Sequence, residues 1–101
     1  RFYPGAAEAL TRSVWSETSE RVRGSALRSL IELGRSDFEA RHAVETILAD
    51  ADDPALREMA VRGLQGWLPR EHARSALERA LAVEETESVR QALLVALNRV
   101  N

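Results

Sequence analysis

Asp53-Pro54-Ala55-Leu56-Arg57, near the middle of the chain, decides how the rest is read. Ser19-Glu20-Arg21-Val22-Arg23 stands 34 residues before it (53 to 19), and Thr86-Glu87-Ser88-Val89-Arg90 stands 33 after it (53 to 86). The agreement continues outward, apolar for apolar: Ala26, Ala60 and Leu93; Leu27, Val61 and Leu94; Leu30, Leu64 and Leu97. A further column of Ser29, Gly63 and Ala96 holds only small residues, as a close helix contact requires. A period of this length marks stacked helical units.

Each copy opens on a residue able to cap a helix: Ser19, Asp53 or Thr86. Their side-chain oxygens can accept from the free N–H groups of a first turn. Pro54 then stands at the first helical position, where its missing N–H costs nothing. Apolar residues three and four apart follow, giving one buried stripe. Gly34 is expected to stop the first of these helices, and Ser36-Asp37-Phe38-Glu39 has the form of a capping box for a second helix. That helix carries Ala40, Ala43, Val44, Ile47 and Leu48 on one face, and its counterpart after Pro69 carries Ala73, Ala76, Leu77, Ala80 and Leu81. The same offset run backwards brings Ala9, Leu10 and Val14 into register. The chain therefore reads as six helices, over 4–17, 19–33, 37–50, 54–67, 70–83 and 87–100.

Composition sets outer bounds. Hydrophobic content of 45% and charged content of 30% over 101 residues describe a globular chain, not a disordered one. The absence of cysteine excludes disulfides and thiolate zinc sites. All 14 basic residues are arginine, a bias that suits a GC-rich bacterial genome and carries no functional weight. A net charge of −2 argues against a general nucleic-acid binder, which needs many phosphate contacts. No apolar run reaches membrane-spanning length and no signal peptide is visible. The compartment stays open on these features, with the cytoplasm favoured. The chain opens at Arg1 without a methionine, which reads as a piece of a longer product.

The pattern resembles HEAT-like repeats, especially the bacterial type also found in phycobilisome-lyase-related proteins. The resemblance rests on the Asp53-Pro54 turn, the hydrophobic–arginine pairs Val22-Arg23, Leu56-Arg57 and Val89-Arg90, and the Ala-x-x-x-Leu stretches after them. It covers nearly the whole chain. Only the middle copy has Asp-Pro, and Gly66-Trp67-Leu68-Pro69 replaces the usual glycine–aspartate turn. The fold it implies is all-α: a right-handed α-α superhelix, or solenoid, of about three repeats forming a single domain over 1–101. Such repeats serve many proteins, so the motif says little about function.

Several residues invite a chemical reading. Arg23, Arg57 and Arg90 could grip an anion, but a ladder in which each bonds a turn carboxylate or carbonyl of a neighbouring repeat explains them better, and the resemblance favours it. Asp50, Asp52 and Asp53 lack the glycine and distant glutamate of a calcium loop, so capping and turn chemistry account for them. His42 and His72 are 30 apart (72 against 42), off the repeat spacing, and neither has a second histidine four residues on. No nucleophile elbow, phosphate-cradling glycine loop or histidine–acid–nucleophile grouping occurs. The expectation is no catalytic residue, no metal and no cofactor. Trp67 is expected to pack a turn. Trp15 aligns with Ala49 and Ala82, opposite the apolar stripe, so it either faces a groove or packs on the N-terminal arm with Phe2 and Tyr3.

In HEAT-like solenoids the second helices line the concave side, and the resemblance implies the same here. Projection of these helices puts Glu8, Thr11 and Trp15, then Phe38, His42, Glu45 and Ala49, then Glu71, Ser75, Glu78 and Ala82 on that side. Arg12, Arg41 and Arg74 run alongside, and Arg41 with Glu45 and Arg74 with Glu78 have the spacing of helical ion pairs. The candidate partner-binding residues are Thr11, Trp15, Arg41, His42, Glu45, Arg74 and Glu78, and the expected partner is a protein or peptide bearing positive charge. The bland alternative is a solvated face whose charges pair with one another. An accessory or lyase-type role on a tetrapyrrole chromophore follows only from the resemblance. Nucleic-acid binding needs a basic groove, whereas 45–58 holds five acids (Glu45, Asp50, Asp52, Asp53, Glu58) and one arginine. Finally, Leu93-Leu94-Val95-Ala96-Leu97 is an unbroken apolar run in the last helix. A helix apolar nearly all round has to be buried. Leu94 and Val95 are therefore expected to meet a missing repeat or a second copy, the alternative being that they simply lie against the end of the preceding pair.

Overall fold

The computed structural model of the chain describes residues 4–100. It contains six helices: α1 (Ala6–Ser16), α2 (Glu20–Leu33), α3 (Phe38–Asp50), α4 (Pro54–Leu64), α5 (Arg70–Val83) and α6 (Glu87–Val100). The caps explain the starts. Ser19 Oγ accepts from the Val22 N–H at 3.3 Å, and Asp53 accepts from the Ala55 N–H at 2.9 Å with Pro54 opening α4. Gly5 opens α1 with φ 84°, a left-handed conformation that a residue with a Cβ adopts only under strain.

Two local expectations are corrected, and a third is met for a different physical reason. The cap of α3 is Asp37, not Ser36: the Asp37 carboxylate accepts from the Ala40 N–H at 2.8 Å. Gly34 does stop α2, as expected, but in a right-handed conformation (φ −63°), so its backbone freedom is not what is used. It is there for space: a Cβ at Gly34 would lie 2.7 Å from Trp67 Cζ2. And α4 ends at Leu64 rather than at 67, since Trp67 leaves the helix to bury its indole under the end of α2. The expectation that Trp67 packs a turn is met there, with Nε1 donating to the Ile31 carbonyl at 3.0 Å.

The helices form two layers. Helices α1, α3 and α5 touch in succession in one, α2, α4 and α6 in the other, and α1·α2, α3·α4 and α5·α6 pair across. The thinnest extent, 17 Å, agrees with two layers about 8–10 Å apart. Between them lie the apolar columns read from sequence, with Val14, Leu27, Leu30, Val44, Ile47, Leu48, Val61, Leu64, Leu77 and Leu93 all buried. The small-residue column does its expected work where α2 crosses α4. A Cβ on Gly63 would stand 2.5 Å from Ile31 Cδ1 and 2.9 Å from Ile31 Cγ2. Both branches of the isoleucine stand in the way, so more than its flexible tip has to shift. Gly63→Ala should therefore lower stability: the helix-propensity gain of about 1 kcal/mol is outweighed by an overpacking cost of about 1–3 kcal/mol. Urea midpoints of the two proteins check this, and a raised midpoint would show that α2 and α4 slide apart freely.

Each of the three arginines bonds carbonyls at the end of the preceding helix or in the turn after it, and only Arg57 also reaches the next helix pair. Arg23 Nε donates to the Val14 carbonyl at 2.9 Å, and Arg90 Nη1 donates to Leu81 O at 3.3 Å and Glu84 O at 3.1 Å. Arg57 does more. Its Nη1 bonds the carbonyls of Ala51 and Asp52, while Nε and Nη2 hold both oxygens of Glu84 at 3.0 Å and Nη2 also reaches Thr86 Oγ1 at 3.0 Å. The Thr86 hydroxyl thus accepts from an arginine at the start of α6, and its N–H donates to Glu84 Oε2 at 3.1 Å. Burial pushes the Glu84 carboxyl pKa up, but the hydrogen bonds from Arg57 and the Thr86 N–H and the charge of Arg57 outweigh it, leaving the pKa below its ordinary value.

Candidate functional site

The α1–α3–α5 layer carries a groove made of two clefts that share His42 and Thr46. The first, about 550 Å³, lies between α1 and α3, with Thr11, Arg12 and Trp15 on one wall and Glu39, His42 and Thr46 on the other. Trp15 stands on that wall 43% exposed, as the groove-facing reading expects. The N-terminal arm of the alternative reading, with Phe2 and Tyr3, lies outside the described residues. The second cleft, about 330 Å³, lies between α3 and α5, where Glu45, Asp50 and Arg79 surround an apolar floor of Ala49, Ala76 and Ala80.

Of the residues expected on this face, Thr11, Trp15, His42 and Glu45 come together on the groove. Thr11 Oγ1 donates back to the Ala7 carbonyl at 2.6 Å. Arg41, Arg74 and Glu78 line neither cleft. Arg41 Nε donates to the Gly34 carbonyl at 3.1 Å and its guanidinium lies 5.8 Å from the Trp67 ring centre, a cation–π distance. It therefore braces the α2–α3 turn and does not pair with Glu45. Glu45 instead meets Arg79 Nη2 at 3.0 Å across to α5. Glu78 is exposed and makes no ion pair with Arg74 among the described residues.

The groove keeps the projected face on α1 and α3, adds the neighbouring column Arg12, Thr46, Arg79, and leaves out the α5 residues Glu71, Ser75, Glu78 and Ala82. Helical side chains lean toward the N-terminus, so a given surface spot is covered by a residue about one position C-terminal to it. A projection from Cα positions misses that lean. The repeat register could have found Arg12 and Arg79, which align with Thr46 just as Thr11 aligns with Glu45 and Glu78.

The two clefts hold the carboxylates of Glu8, Glu39, Glu45 and Asp50 against the guanidiniums of Arg12 and Arg79. The exposed Glu45–Arg79 pair contributes little on its own, of the order of 0–1 kcal/mol. The surplus charge is negative. Among the described residues, no group of three or more His, Asp or Glu could hold a metal ion, and no helix is long and apolar enough to cross a membrane. The chain matches no protein-family model, no curated protein and no solved structure. The functional reading therefore rests on the groove itself.

Leu94 and Val95 occupy different surfaces. Leu94 shares a column with buried Leu27 and Val61, whereas Val95 shares one with exposed Arg28 and Arg62 and edges a shallow cleft with Glu58 and Arg62 on the outer layer. Both are about half exposed.

Proposed function

We propose that the chain is a HEAT-like helical solenoid of about three repeats that binds a basic polypeptide along its α1–α3–α5 groove. The observation that carries this reading is Trp15, an indole half-exposed on the wall of a 550 Å³ cleft that Glu8 and Glu39 also line. A rigid aromatic beside fixed negative charge suits a peptide with an apolar anchor next to lysine or arginine. The repeated helix pairs, the small-residue column and the arginine ladder support the repeat reading. The groove is built from helix faces, so it needs no ordering on binding, which keeps the entropic cost low. The same carboxylates repel a phosphate backbone, which argues against nucleic acid.

Selection from a random peptide library on the wild-type chain tests the proposal. The selected peptides are expected to be rich in lysine and arginine, and to bind more weakly as salt is raised. Replacing the anchor, Trp15→Ala, should weaken them by at least about tenfold, the scale of an aromatic hot spot. Peptides that bind Trp15→Ala as well as wild type, or a selection with no basic enrichment, would overturn it.

A further inference from the structure

The two ends of the stack expose what its middle buries. In the outer layer the column Val22, Leu56, Val89 is 41% exposed in its first member and buried in the other two. The column Leu27, Val61, Leu94 runs the opposite way, with the first two fully buried and Leu94 46% exposed. The inner layer repeats this. Leu10 is only partly buried where Val44 and Leu77 are fully so, and Leu81 is only partly buried where Val14 and Leu48 are covered. One set of columns faces back along the stack and the other faces forward, and each is covered wherever a neighbouring unit exists.

We infer that the forward face of one copy, centred on Leu94, seats on the backward face of a second copy, centred on Val22, and so continues the stack head to tail. The charges point to a second copy of this chain. Inside the molecule, Arg57 reaches forward to Glu84 and Thr86 of the next unit. Arg23, one unit earlier, has Ala51 at the position of Glu84 and forms no such pair. Carried one unit on, the register places Arg90 opposite Glu17 and Ser19 of a second copy, the residues in line with Glu84 and Thr86. Arg90 bonds its own turn through Nη1, as Arg57 does, and among the described residues its Nε and Nη2 hold no partner. Glu17 is exposed. The rung missing at Arg23 is thus available between copies. This surface is separate from the groove, so it stands or falls apart from peptide binding.

The two faces differ, so the contact is not self-complementary and association does not stop at a dimer. Sedimentation velocity across a wide concentration range should show a mass rising past about twice that of the monomer. Val22→Arg and Leu94→Glu each spoil one end at an exposed position, and either alone should hold the chain monomeric. Mixed, each supplies the face the other lacks, and the mixture should form one heterodimer and nothing larger. Glu17→Ala, in an exposed turn outside the core, should weaken association by about fivefold and reduce its salt dependence. A monomer at every concentration overturns the inference. So does a dimer that grows no further and is untouched by Val22→Arg, because that would be a symmetric contact through α6.

Discussion

Trp67→Ala is expected to lower the unfolding free energy by about 3–5 kcal/mol, the usual cost of emptying a buried tryptophan site. Trp67 is 1% exposed and fills the space that Gly34 leaves at the end of α2. The loss has three parts. The cavity forfeits the packing of the indole, the Ile31 carbonyl loses its donor at the last turn of α2, and Arg41 loses the ring beneath its guanidinium. Domains of this size are stable by only about 5–15 kcal/mol, so the variant should stand close to unfolding. Trp67→Phe separates the contributions: it keeps much of the volume and removes the indole N–H, and should cost about 1–3 kcal/mol, much of it the unsatisfied carbonyl. Urea unfolding followed by far-UV circular dichroism reads both. A loss under about 1 kcal/mol for the alanine variant would show that the turn collapses to fill the site, and that Gly34 is not held open by the ring.

Arg57→Ala should cost a similar amount, about 3–5 kcal/mol near neutral pH, because it strands a buried carboxylate. The Glu84 side chain is 5% exposed, and both of its oxygens accept from the Arg57 guanidinium. The pH dependence distinguishes this from simple loss of packing. In the wild type the folded-state pKa of Glu84 lies below the ordinary value, so its contribution is present above the ordinary carboxylate pKa of about 4.3 and is lost as pH falls through the lowered one. In Arg57→Ala, burial acts with no guanidinium to oppose it, the folded-state pKa rises, and protonation on acidification relieves the stranded charge. The stability gap between the two proteins should therefore narrow as pH falls from 7 towards about 3. Urea midpoints at the two pH values measure it, and a gap that stays constant would assign the effect to packing alone.

Most of the helical layout was legible because it follows from local rules. The offset between the Ser19, Asp53 and Thr86 segments places α2, α4 and α6, and the apolar columns that follow it are buried between the layers except at Leu94 and, in part, Leu97 in α6. The ladder of Arg23, Arg57 and Arg90 could be read as turn chemistry from its place after each cap. The groove was only half legible. Trp15 and His42 fall on it as projected, but Arg41 is drawn to Gly34 and Trp67, a contact that joins residues far apart in the chain.

The sequence alone determined which segments are helical, where most of them begin and which stripe of each is buried, since capping and periodicity act over one or two turns. Tertiary structure decided the rest. Gly34 is small because a ring 33 positions on (34 to 67) needs its space, and α4 stops early so that this ring can arrive. Glu45 pairs with Arg79 rather than Arg41, and one arginine of three gains a carboxylate because only Glu84 stands across from it. Each of these depends on the distance between side chains brought together by packing, and periodicity along one helix carries no record of that distance.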